Sequence, residues 1–184
     1  QTFVRERGLN PVGLAGFQNR YALAMRRERA EELGVVSVQD LAPLASMLSA
    51  GGDLEFFGRS EWKRLQSLYD LDFAQELTFD AALMYTAVEA GQVDVISAYS
   101  TDGRVAAYDL VLLEDPRQAL LSYDAMLLAS SAAAQDPRFT AALAPVLGAI
   151  SDEAMREANK MVDVEGRSVS EATAYLQAII NKPR

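Results

Sequence analysis

The sequence predicts an α/β fold with a mostly parallel sheet, divided between two lobes. Two observations carry this. Short apolar runs alternate with amphipathic stretches, and near Tyr123 a strand-rich order gives way to helical spacing. Val12–Phe17 and Tyr21–Arg26 are apolar runs of strand length. Arg27–Leu33 reads as a short helix ending at Gly34, a residue suited to the position after a helix. Ser37 is placed to cap a helix over Val38–Leu48. Asp53–Phe57 reads as a strand, Glu61–Leu68 as a helix and Phe73–Thr78 as a strand. Phe79–Ala90 follows as a helix, with Asp80 in its first turn and Gly91 after its end. Val93–Tyr99 reads as a buried strand, Leu110–Leu113 as another and Met126–Ser130 as one more. Pro137–Leu147, Ser151–Val162 and Ser168–Ile180 are helical in spacing, and Ser151-Asp152-Glu153 sets a cap and two acids at the positive end of a helix dipole.

Composition narrows the chemistry. Half of the 184 residues are hydrophobic, 23% are charged, the net charge is −9, and the chain has neither Cys nor His. Such a chain is long enough to bury a core as one domain or two small lobes. Lack of Cys excludes disulfides, thiolate nucleophiles, iron–sulfur clusters and CxxC zinc sites. Lack of His excludes a Ser-His-Asp triad, an HExxH zinc site and an imidazole proton shuttle. A pI near 4.5 opposes a nucleic-acid partner. No apolar run approaches the ~18 residues of a membrane-spanning helix, and no signal-peptide pattern opens the chain. It starts at Gln1 rather than Met, so a processed product or a cut-down piece of a longer protein is expected.

Few motifs carry chemistry. The carboxylate pairs Glu31/Glu32, Glu114/Asp115 and Asp152/Glu153 are sequence neighbours, which do not face one another on a helix, and read as solvated surface. Gly13-Leu14-Ala15-Gly16 lacks the third glycine of a dinucleotide fingerprint. Ser100-Thr101-Asp102-Gly103-Arg104 is a polar turn after an apolar strand: a turn built by Asp and Gly, or a strand-end loop of the kind that holds ligands in α/β folds. Of seven tyrosines, Tyr69, Tyr85 and Tyr175 lie in helical patterns and read as packing. Tyr21, Tyr99 and Tyr123 stand at element ends, where they either pack or converge on one cleft.

The run from Ser100 to Asp115, Ser-Thr-Asp-Gly-Arg-Val-Ala-Ala-Tyr-Asp-Leu-Val-Leu-Leu-Glu-Asp, resembles the signature of one family, the substrate-binding proteins of ABC importers for osmoprotectants such as glycine betaine, choline, carnitine and proline betaine. Gly16–Arg26, Phe56-Phe57-Gly58-Arg59, Gly91–Ile96, Ile150–Met155 and Val162–Gly166 resemble further segments of that family in the same order, so the likeness covers nearly the whole chain from Gly16.

That resemblance implies a periplasmic-binding-protein-like fold of type II, in which two α/β lobes close on a ligand. Residues 19–122 would form one complete lobe, and residues 1–18 with 123–184 part of the other, including its C-terminal helices. The family's N-terminal segment would lie outside this chain. The resemblance implies no catalysis, no metal and no cofactor. It implies a trimethylammonium ligand, an ABC permease in the membrane as partner, and a periplasmic or extracytoplasmic, membrane-associated location. Apolar surface left by the absent segment predicts that two copies of the chain pair as a homodimer.

By position, Tyr21, Tyr99 and Tyr123 fall where the family places the tyrosines of its aromatic cage, Arg59 matches its clamp arginine, and Asn19 stands where some relatives carry Asp. The chemistry suits the residues. A quaternary ammonium has no N–H to donate and spreads its charge over methyl groups, so aromatic faces meet it with negative quadrupole and apolar surface together. A betaine also carries a carboxylate, for which a guanidinium is a two-pronged donor. Trp62, one helical turn from Arg59, is read as core packing. The alternative is a sensory domain that uses the same fold for another small ligand; a hydrolase working with carboxylates alone would need two acids facing each other across a pocket.

Overall fold

The computed structural model describes residues 7–182. In chain order the strands are β1 (Leu9–Gln18), β2 (Tyr21–Arg26), β3 (Ser49–Asp53), β4 (Gln75–Phe79), β5 (Val95–Tyr99), β6 (Leu110–Leu112) and β7 (Asp124–Ser130). The helices are α1 (Arg27–Leu33), α2 (Val38–Leu41), α3 (Ser60–Tyr69), α4 (Ala81–Glu89), α5 (Gly103–Ala107), α6 (Ser131–Ala134), α7 (Pro137–Leu143), α8 (Asp152–Asp163) and α9 (Val169–Ile180). Arg20–Ser122 forms one compact unit; the described residues up to Asn19 and from Tyr123 onward form the other.

The Arg20–Ser122 unit is built on a five-stranded sheet in the order β4-β3-β5-β2-β6. β3 runs parallel to β4 and β5, whereas β2 runs antiparallel to β5 and β6. The sheet is therefore mixed rather than simply parallel, because the direction of a strand is not written in its own hydrophobic pattern. Both faces are covered. Leu23, Met25 and Val95 pack with α1, α2 and α3, while Ala24, Ile96 and Ala98 pack with α4. This double burial explains why β2 and β5 read as predominantly apolar runs.

Several boundaries differ from the sequence reading, and in this unit the clearest differences have a local reason. The helix expected over Val38–Leu48 stops at Leu41, since Pro43 has no N–H to continue it, and a 3-10 turn at Ala45–Met47 follows. The strand expected at Asp53–Phe57 instead ends at Asp53, whose Oδ1 accepts the N–H groups of Glu55 and Phe56 and bends the chain into a 3-10 turn, Phe56–Gly58. The Ser100–Arg104 turn opens α5, with the Asp102 carboxylate accepting the Arg104 N–H at its start.

In the other unit, β1 and β7 form an antiparallel pair, followed by four helices. The helix expected over Pro137–Leu147 ends at Leu143 and tightens to a 3-10 turn at Ala144–Val146, where Pro145 lacks a donor. Ser151 and Ser168 cap α8 and α9 through their hydroxyls, and Glu171 returns a bond to the Ser168 N–H to complete a capping box.

Candidate ligand-binding site

β2, β3 and β5 bring three polar side chains to the sheet edge where the parallel strands β3 and β5 end, the usual place for ligand contacts in α/β sheets. Tyr21 opens β2, Tyr99 closes β5, and the antiparallel register sets them directly opposite each other. Their ring centroids are 4.8 Å apart with planes inclined by 31°. Asp53 closes β3. Its Oδ2 accepts the Tyr21 hydroxyl at 3.0 Å, and the Tyr99 hydroxyl donates to the Tyr21 oxygen at 3.0 Å while lying 3.4 Å from the same carboxylate oxygen. Through its other oxygen, Asp53 shapes the turn that leads to Arg59. A single buried carboxylate thus ties together the aromatic pair and the basic residue beside it.

Behind the pair stands Tyr85, fully buried on α4, whose hydroxyl accepts the Tyr99 N–H at 3.1 Å. The Arg104 guanidinium lies over the Tyr85 ring at 4.4 Å and is held by Asp102 at 2.6 Å. Ser100 Oγ accepts the Arg20 N–H at 3.1 Å, and Arg20 precedes Tyr21. The Ser-Thr-Asp-Gly-Arg turn therefore buttresses the backbone on both sides of the tyrosine pair.

Arg59 follows the 3-10 turn and enters α3. Its guanidinium carbon is 5.6 Å from the Tyr21 ring centroid, and its Nη2 bonds Glu55 at 2.7 Å. Glu55 first, and Tyr21 next, raise the Arg59 pKa above the ordinary guanidinium value. The Arg59 Nε is buried with no hydrogen-bond partner among the described residues. Tyr21 itself is only 7% exposed, with Phe56 against its ring at 5.2 Å; Tyr99 and Phe57 are half-buried. Trp62 is core, as the sequence reading has it, packed against Phe56, Phe57 and Phe73.

Of the five residues singled out from the sequence, the structure gathers Tyr21, Tyr99 and Arg59 in the Arg20–Ser122 unit. Asn19 and Tyr123 belong to the other unit, where the Asn19 N–H donates to the Tyr123 carbonyl at 3.1 Å and the Tyr123 side chain is 48% exposed. Sequence reasoning missed Asp53 and Tyr85. The available signal for Asp53 was a Gly-Gly-Asp run ending a strand at the ligand edge.

The phenols respond to this setting. Burial first, then the bonds to Tyr99 and Asp53, push the Tyr21 pKa far above its ordinary value. Burial and the bond to Asp115 push Tyr69 up to about 12, and burial does the same to Tyr85 in the direction of a higher value. A raised phenol pKa favours the neutral form in the folded chain. Its stabilising contribution is therefore complete below about pH 10, where the unfolded phenol is also neutral, and declines as pH rises towards the folded value. Stability is expected to fall from about pH 10 upward, as all three phenols ionise in the unfolded chain, and the share of Tyr69 levels off first, near pH 12. In an absorbance titration at alkaline pH, the native protein's phenolate signal should lag behind that of the urea-unfolded protein, and Tyr69→Phe should remove the first of the delayed native ionisations, near pH 12. Superimposable native and unfolded titrations would contradict this.

Among the described residues no group of three or more acidic side chains could hold a metal ion, and no helix is long and apolar enough to cross a membrane. Residues 2–177 match the family described as the substrate-binding domain of ABC-type glycine betaine transport systems. The chain belongs to that family. Its members are binding domains of transporters, not enzymes. The chain is 32% identical over 151 residues to the carnitine transport binding protein OpuCC of Listeria monocytogenes, covering 80% of this chain and 49% of that protein. It is 34% identical over 171 residues to the glycine-betaine-binding protein of Pseudomonas aeruginosa, covering 86% and 55%. It spans about half the length of these curated relatives. A crystal structure described as a glycine betaine/carnitine/choline ABC transporter is similar at a TM-score of 0.89 and 28% identity, over 97% of this chain and 68% of that one. The fold is that of type II periplasmic binding proteins.

Proposed function

We propose that this chain is the solute-binding part of an ABC importer and takes a trimethylammonium osmoprotectant of the glycine betaine, choline or carnitine class. Relatives named for carnitine and glycine betaine binding support the class. The observation that carries the reading is the in-register Tyr21–Tyr99 pair with Arg59 beside it. In this reading the tyrosine pair receives the methylated cation, each ring contributing about 0.5–2 kcal/mol. Arg59 receives the ligand's carboxylate, which meets its Nε and draws the guanidinium from Glu55. The family resemblance adds Tyr123 and Asn19 to the ligand set. The loaded protein works outside the cytoplasm and delivers its solute to a permease in the membrane.

Calorimetric titration of the intact protein, as its cell makes it, with glycine betaine, choline and carnitine tests this. At least one is expected to bind. Tyr99→Ala is expected to weaken that binding by about tenfold or more, the equivalent of about 1–2 kcal/mol. Binding of none of the three, or an affinity indifferent to Tyr99→Ala, would overturn the reading.

A further inference from the structure

Asp53 is buried, and among the described residues no Lys or Arg forms an ion pair with it. Its contacts are with neutral donors: the Glu55 and Phe56 N–H groups on Oδ1, the Tyr21 hydroxyl at 3.0 Å and the Tyr99 hydroxyl at 3.4 Å on Oδ2. Burying a carboxylate without a counter-ion is costly. The turn at Glu55–Phe56 does not require that charge, because an asparagine amide accepts the same N–H groups. The nearby cation does not cancel it either, since the Arg59 guanidinium is engaged by Glu55 at 2.7 Å. What the charge touches is the hydroxyl chain from Tyr99 through Tyr21. A phenol that donates to a carboxylate gains electron density, and its ring face becomes a better partner for a cation.

We propose that Asp53 is a specificity-determining, positioning residue: acting through the hydroxyls of Tyr21 and Tyr99, its charge makes the tyrosine pair select a cationic head over a neutral one of the same shape. The assignment rests on the proposed function and adds to it the origin of charge selection. Asp53 lies behind the pair, orients both rings by fixing their hydroxyls, and supplies the negative charge that the ligand's cation completes.

The test compares ligands that differ in charge and share their shape: glycine betaine with tert-butylacetate, and choline and carnitine each with its tert-butyl analogue. Asp53→Asn keeps an acceptor for the turn and removes the charge. It is expected to weaken the cationic member of a pair by about tenfold and the neutral member by less than about twofold. Tyr21→Phe keeps the ring and the turn but removes the 3.0 Å bond to Asp53, leaving the Tyr99 hydroxyl at 3.4 Å; it is expected to shrink the same preference, and it carries the test if Asp53→Asn does not fold. Equal weakening of both members, or a cation preference that survives both substitutions, overturns the assignment alone. A wild-type protein that binds none of glycine betaine, choline and carnitine overturns the proposed function and this assignment with it.

Discussion

Replacing Trp62 with alanine is expected to lower the unfolding free energy by about 3–5 kcal/mol, the range for emptying a large aromatic site in a core. Trp62 is 2% exposed, and its ring lies 5.4 Å from Phe56, 5.2 Å from Phe57 and 6.0 Å from Phe73. Each such pair contributes about 0.5–1.5 kcal/mol beyond its burial. The effect reaches the site through Phe56, which packs on Trp62 and on Tyr21 at once. Affinity for a trimethylammonium ligand is therefore expected to fall together with stability. Trp62→Phe keeps most of the ring and should cost about 1–2 kcal/mol. Because Trp62 is the only tryptophan, urea unfolding is followed by circular dichroism rather than indole fluorescence. A loss for Trp62→Ala below about 1.5 kcal/mol would mean that the aromatic cluster collapses to fill the space.

The elements easiest to read were those whose signal is local. β2 and β5 announce themselves as predominantly apolar runs because both of their faces are covered. Ser151 and Ser168 announce helix starts because a hydroxyl at that position satisfies a free N–H. The tyrosines at the ends of those two strands were legible for the same reason. That they stand opposite each other was not, because it depends on β2 running against β5. Asp53 was illegible in a deeper sense. Its partners Tyr21 and Tyr99 lie 32 and 46 residues away, and an acid that precedes two aromatics reads as the start of a strand over Asp53–Phe57. The helix expected across Pro43 shows the opposite failure, where an apolar pattern outweighed a missing donor that was in plain view.

Gly16→Ala is expected to damage the unit that carries Asn19 and Tyr123, by roughly 2–5 kcal/mol once backbone strain and displaced hydrogen bonds are added. Gly16 has φ +115°, a conformation that side chains resist. A Cβ there would stand 2.7 Å from the Ile150 carbonyl oxygen and 2.9 Å from the Gly148 carbonyl carbon. Both are backbone atoms, so no rotamer change relieves the contact. The loop at 148–150 lies this close because the Gly148 N–H donates to the Leu14 carbonyl at 2.9 Å and the Ile150 N–H to the Ala15 carbonyl at 3.3 Å. Alanine must break those bonds or distort β1. Just beyond Gly16, the Gln18 N–H donates to Asp152 at 2.7 Å, in the first turn of α8, so a displaced strand also pulls on that helix. Hydrogen exchange is expected to show lost protection at Gly148 and Ile150 in the variant, while Ala22, Ala24 and Ile96 in the five-stranded sheet keep theirs. A variant with unchanged protection at Gly148 and Ile150 would show that the loop yields to the added methyl without releasing its bonds.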